Sequence, residues 1–438
     1  MNPYSRFQLL LSALLFAGCA VAATLDSSPA GQSTNAPLPG WARLNDVFNL
    51  PLWQDYLLWD DTDTAVAARL GLPEESRTSS QSSFRAYPQP GTSVLGTRPY
   101  SISLYAESGS VTYVSMVFAN KGDIEGLASG QGIGELDVSN AQRKKALKNF
   151  KRRIADDAGI IETRLTALLG KPKSDSFGQG SSQVRERVLR WDVKSHSILL
   201  AAPREEYVAL RVVPTTVADS EGKGDRISDM SLMKILESRV LRRDNGDVII
   251  EDIPMVHQGP KGYCVPATWE RYLRYLGIPA DMYVLAMAGD TAVGGGTQMH
   301  ELADNIEKLV VQYKRRMKRV KKPAKINTIE RYIDSGLPVM WTLWVNKSHY
   351  ADIDSRTAQR AAVSDWKQWK TDLKPWQREA RNIPLDDAAA HVCMIIGYNK
   401  NTGEIATSDS WGPRYKERWM TEEEVEAISM GELWIISW

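Results

Sequence analysis

The most constraining feature of this chain is an abrupt change of character at residue 264. Gln258-Gly259-Pro260-Lys261-Gly262-Tyr263 is punctuated by glycine and proline and reads as loop. After Cys264, the residues Trp269, Tyr272, Leu273 and Leu276 fall at i, i+3, i+4 and i+7, the spacing of a buried helix face, and Gly277 closes it. Pro266 suits the first helical turn, where its missing N–H costs nothing. A cysteine therefore stands at the N-terminus of a helix destined for a core. Unpaired amides and the positive end of the helix dipole favour thiolate over thiol at that position.

A thiolate needs a base to share its proton and a third group to orient the base. The chain has five histidines, and one of them, His391, opens His391-Val392-Cys393-Met394-Ile395-Ile396-Gly397-Tyr398. Such an almost continuous apolar run suits a strand buried in a sheet. A polar residue at the mouth of that strand is costly without partners. Ser408-Asp409-Ser410-Trp411-Gly412 follows the strand-like 404–407, so a turn between neighbouring strands can carry Asp409 to the imidazole. Cys393, on the same strand face as His391, reads as a core residue beneath the site.

At 438 residues the chain has room for two or three domains. Lys+Arg 54 against Asp+Glu 53 gives a net charge of +1, so no global field attracts nucleic acid or an anionic membrane. Three cysteines exclude a disulfide-stapled scaffold and a four-thiolate zinc site. Residues 1–22 have the charge, apolar core and small-residue order of a secretory signal. Ala20-Val21-Ala22 fits ordinary cleavage, whereas Phe16-Ala17-Gly18-Cys19 resembles a bacterial lipobox and makes Cys19 a lipidation candidate. Residues 23–40 read as a flexible tether. Residues 41–215 alternate strand-like runs with a long helical stretch at 140–169, an α+β accessory domain. Residues 216–247 are polar and read as a linker. Residues 248–438 form a second α+β domain, interrupted at 346–390 by a tryptophan- and lysine-rich insertion suited to a helical flap or a packed helical excursion.

Gln258, then Cys264 at a helix start, then the strand-leading His391, then Asp409-Ser410-Trp411-Gly412 resembles the papain-like cysteine peptidases. Cys264-Val265-Pro266-Ala267 is similar to the Cys-Gly-Pro-Ala of the double-glycine (bacteriocin-processing) leader-peptidase-like group, with Val265 where Gly is usual. The resemblance covers residues 251–438. It implies a helix carrying the nucleophile packed on an antiparallel sheet, with Cys264 as nucleophile, His391 as base and then acid, and Asp409 as orienting carboxylate. It further implies that the Gln258 amide helps to hold the oxyanion and that Trp411 shields the His–Asp bond. Gly262, Tyr263, Gly295, Gly296 and Trp411 would contact a peptide or protein substrate, the glycine-rich segment 294–296 through its backbone, with a simple helix-entry loop as the other reading of that segment. Val265 would narrow the cleft or mark an altered substrate.

No metal and no organic cofactor are expected. His300-Glu301 lacks the second ligand of a zinc peptidase, since Asp304 stands in its place. Gly294-Gly295-Gly296-Thr297 lacks the Lys-Ser/Thr of a phosphate loop. The basic cluster from Lys314 to Lys325 reads as a solvated face. The sequence thus predicts an exported peptidase that is periplasmic, outer-membrane-tethered through Cys19, or secreted. The competing readings are a cell-wall amidase or transpeptidase of the same thioester chemistry, and a non-catalytic scaffold on the same fold. The oligomeric state has no sequence signal.

Overall fold

The computed structural model describes residues 40–54, 58–124, 139–260, 262–293 and 296–438. The expected signal, Cys19, nearly all of the tether, Lys261 and Gly295 lie outside them. Residues 38–438 form one compact unit.

Two antiparallel sheets organise that unit. The first contains β1 (Glu74–Arg77), β2 (Gln81–Ala86), β3 (Ser101–Glu107), β4 (Ser110–Asn120), β5 (Lys173–Phe177), β6 (Glu186–Val193), β7 (His196–Ala201) and β8 (Tyr207–Pro214), in the order β1-β2-β3-β4-β8-β7-β6-β5. The helix Asn140–Leu169 packs on it through Phe150, Ile154, Ile161 and Leu165, which recur on one side of the helix. Ser139 and Gln142 cap its start reciprocally. The strands β1 and β2 have no apolar alternation because their buried face is ionic. Glu75 and Arg85, both nearly fully buried, pair at 2.6 Å there.

The second sheet contains β9 (Val240–Arg242), β10 (Asp247–Ile250), β11 (Arg316–Val320), β12 (Val339–Val345), β13 (Ala389–Asn399), β14 (Glu404–Ser408), β15 (Arg418–Thr421) and β16 (Ser429–Ser437). The strand β13 is central. It pairs with β12 along residues 389–395, with β14 along 394–399 and with β10 along 397–399. The helix Cys264–Tyr275 buries Trp269, Tyr272 and Leu273 against this sheet, and each such side chain stabilises by about 1.5–3 kcal/mol. The α+β class and a helix on an antiparallel sheet are thus as expected.

The stretch read as a linker, 216–247, contains the helix Asp229–Ser238 and β9. Leu232 and Leu236, one turn apart on that helix, join the core of the second sheet, which is why the segment folds onto it. The 346–390 insertion is helical, with helices Lys347–Arg360, Trp366–Asp372 and Lys374–Glu379. It is pinned from within. Arg360 donates two bonds to Asp247, at 2.6 and 3.0 Å, and one to Glu404 at 3.0 Å, all three side chains being buried. Arg360 and Arg356 also lie over the rings of Trp366 and Trp376.

A third apolar cluster joins the two sheets. Val117, Tyr207 and Ala209 of the first meet Val256, Tyr263, Ala267, Met282, Tyr283 and Ala286 around the second. Polar bonds cross the same boundary: Ser101 with Tyr283, Tyr105 with Glu270, and Ser76 with the Met255 N–H.

Candidate active site

Cys264 is the first residue of its helix, half-buried, with Tyr263 as the preceding cap residue. One turn on, the Thr268 hydroxyl donates to the Val392 carbonyl at 3.2 Å. That bond fastens the first turns of the helix to the head of β13 and brings the Cys264 thiol close enough to His391 for the imidazole to lower it. The imidazole Nε2 faces Asp409 Oδ1 at 2.6 Å, leaving Nδ1 as the ring nitrogen for the thiol. The strand register explains Asp409. Ser408 pairs opposite Met394, so the next residue comes level with the strand face that carries His391.

The turn bearing Asp409 is held at three points. Arg271, from the nucleophile helix, donates to the Ser408 carbonyl and hydroxyl and to the Ser410 hydroxyl. The Gln258 N–H donates to the Ser410 carbonyl at 2.8 Å, and the Asp409 N–H donates to Tyr415 at 3.0 Å. The Trp411 ring lies 4.7 Å from the His391 ring, tilted by 31°. Gly412 has φ 108°, and a Cβ there would come within 2.9 Å of the His257 ring. Only glycine fits both the backbone angle and that contact.

Electrostatics favour an ion pair. Burial pushes the Cys264 thiol up, but the hydrogen bond and charge of His391, together with the backbone of Val392 and Val265, hold it below its ordinary value. Burial pulls His391 down, yet Asp409 and Cys264 outweigh it and raise the imidazole to about 9. Burial raises Asp409, and the Arg418 guanidinium and His391 more than offset it, so the carboxylate stays ionised. Between the acid limb set by Cys264 and about pH 9, the pair is thiolate and imidazolium.

Arg418 had no sequence signal. It stands on β15 opposite Thr407, fully buried, and bonds Asp409 Oδ2. Asp354 of the insertion grips it from behind at 2.7 Å, and the rings of Tyr350, Trp411 and Tyr415 surround it. The insertion therefore braces the rear of the Asp409 turn.

Two expectations change. Tyr263 does not line a substrate cleft. Its side chain is 2% exposed, and its hydroxyl bonds Asn120 and receives the Gly122 N–H at 3.0 Å, both across the inter-sheet boundary. An aromatic ring flanked by the cores of both sheets stays dry, so it fixes the start of the nucleophile helix. Val265 is also buried, within the core of the second sheet, because the helix turns its Cβ away from the thiol. It therefore does not narrow a cleft. The Gly262 carbonyl accepts from the Gly296 N–H at 3.2 Å. Cys393 is a fully buried core residue whose thiol burial pushes well up. Gln258 is buried beside the Asp409 turn. Among the described residues no group of His, Cys, Asp and Glu has the geometry to hold a metal ion.

No curated protein matches the chain. Residues 250–431, the segment that carries Gln258, Cys264, His391 and Asp409, match the model of the Peptidase_C39 like family, which supports a papain-like cysteine peptidase family for this part of the chain.

Proposed function

We propose that the chain is an exported cysteine peptidase that cleaves peptide bonds through a thioester on Cys264. The single observation that carries this reading is the buried relay of Cys264, His391 and Asp409, in which the imidazole is raised to about 9 while the thiol is lowered. The Cys264 thiolate attacks the substrate carbonyl. The oxyanion is held by the Cys264 N–H and the Gln258 amide. His391 passes its Nδ1 proton to the leaving amine as the tetrahedral intermediate collapses to the thioester. It then takes a proton from water, whose attack frees the carboxylate product and Cys264. The finer reading, a relation to double-glycine leader peptidases, rests on Cys264-Val265-Pro266-Ala267. Export, and a membrane tether through Cys19, rest on residues 1–22.

The test is digestion of a peptide library by full-length protein recovered from the expressing cell's envelope. Hydrolysis is expected without prior cleavage near residues 214–247, with kcat/KM falling on the alkaline side near pH 9, where the imidazolium is lost. A mature N-terminus at a lipidated Cys19 would support the tether, and one at Ala23 would replace it with a soluble form. The N-terminal half, read as an accessory domain for substrate or partner binding, is proposed to be a permanent part of the enzyme; a full-length protein that is silent until it is cut in 214–247 would make it a removable pro-segment instead.

A further inference from the structure

On the face of the insertion one residue along from Tyr350, the helix Lys347–Arg360 opens onto a pocket of about 190 Å³. His349 and Glu424 form its floor, Asp352 and Glu379 stand on its rim, and Trp376 supplies an aromatic wall. Glu424 is 1% exposed and uses its two oxygens very differently. Oε2 accepts from Arg356 at 2.6 Å, from the Thr421 N–H at 2.8 Å and from the Thr421 hydroxyl at 2.9 Å. Oε1 has no hydrogen-bond partner. His349, 8% exposed, likewise has no partner at Nε2, and that atom lies 3.7 Å from Glu424 Oε1.

Two buried, unsatisfied polar atoms are costly, and a pair of them facing one opening is a vacancy shaped for a donor. A separation of 3.7 Å is too long for a hydrogen bond between them, but one nitrogen placed between could bond both. Burial pulls His349 down, with Glu424 pulling it back up and Arg356 opposing. A neutral imidazole is thereby favoured, and it can accept at Nε2. Three carboxylates (Asp352, Glu379 and Glu424) face the pocket against one guanidinium, Arg356, which bonds Glu424 Oε2 and lies over the Trp376 ring while its Nε and Nη1 have no hydrogen-bond partner. The excess is negative, and an aromatic face beside it suits a cation. We infer that this pocket binds a primary ammonium group, seated between Glu424 Oε1 and His349 Nε2 and flanked by Trp376. The group would come either from a lysine side chain of a polypeptide or from a free diamine.

The experiment follows the Trp376 indole N–H of the full chain by NMR, assigned with Trp376→Phe, during titration with Nα-acetyl-lysine amide. The uncharged Nα-acetyl-norleucine amide is the control. For so small a ligand the expected dissociation constant is about millimolar. Removing both rim charges with Asp352→Asn and Glu379→Gln should weaken it about tenfold. Because both are exposed, that variant is expected to fold even if Glu424→Gln does not. Arms with 1,5-diaminopentane and with a lysine-containing peptide separate the two sources by which saturates first. The inference is overturned if norleucine amide shifts Trp376 as far as lysine amide does. It is equally overturned if lysine amide shifts nothing at about 50 mM, or if the doubly neutralised variant binds it unchanged.

Discussion

Replacing Cys264 with alanine is expected to lower kcat by about a millionfold, the loss typical of removing the nucleophile from such a relay. Among the described residues no other group can take the place of that sulfur. Cys393 is the other described cysteine, and it is fully buried with its thiol pushed well up. His391 and Asp409 would remain in place, since Thr268 and Arg271 hold β13 and the Asp409 turn without help from the thiol. The variant should therefore stay folded, and a urea unfolding midpoint close to that of the parent would separate lost chemistry from lost structure. Cys264→Ser should behave alike, because a hydroxyl in this setting stays protonated. Hydrolysis by Cys264→Ala at more than a thousandth of the parental rate would show that the peptide is cut elsewhere.

The second large effect lies far from the thiol in sequence. Glu75→Ala is expected to destabilise the chain by about 3–5 kcal/mol, because it leaves the Arg85 guanidinium buried without its counter-ion. It also removes the acceptor for the His257 N–H, a 2.7 Å bond to Glu75 Oε1, and the partner of the Ser83 hydroxyl. His257 precedes Gln258, and Tyr87 of the N-terminal half donates to its carbonyl at 2.7 Å. The loop that supplies Gln258 is thus strung between the first sheet and the Asp409 turn. Loosening its first anchor should lower kcat more than it raises KM, since Gln258 is assigned to the oxyanion rather than to the bound substrate. Glu75→Gln should recover part of the activity by restoring an acceptor while still leaving the Arg85 charge uncompensated. Urea unfolding together with steady-state kinetics on the full chain measures both effects. Parental stability and kinetics in Glu75→Ala would mean that the first sheet has no part in holding the site.

This contact also marks where sequence reasoning stops. The nucleophile helix and the strand behind His391 announce themselves through local period, and a turn between adjacent strands is a short-range consequence of them. That much of the site was legible. The direction of Tyr263 was not, because its partners Asn120 and Gly122 lie more than a hundred residues away on another sheet. Nor was Arg418, a single arginine in Arg418-Trp419-Met420-Thr421 whose role exists only once β15 pairs with β14. The strands β1 and β2 escaped for a related reason. Their buried residues are mostly polar, an ion pair and three serines beside Phe84, and polar letters in a short run look like loop until the partner is known. In the stretch 216–247 the apolar signal is only Leu232 and Leu236, too little to outweigh its charge. The long helix Asn140–Leu169 carried its period along one side and came out where the sequence placed it.

The claim on which the account turns is that Cys264 is a thiolate paired with an imidazolium. It is tested most directly by the rate at which iodoacetamide alkylates the native full-length protein as pH is varied, with the labelled residue identified by mass. An ordinary thiol reacts slowly at about pH 6 and speeds up as pH rises through about 8.5. The account predicts that Cys264 labels faster than an ordinary thiol at about pH 6, that its rate rises at lower pH than a free thiol's, and that Cys393 takes no label until the chain is unfolded. A Cys264 that labels slowly at about pH 6, and whose rate climbs with pH like that of a free thiol, would contradict it.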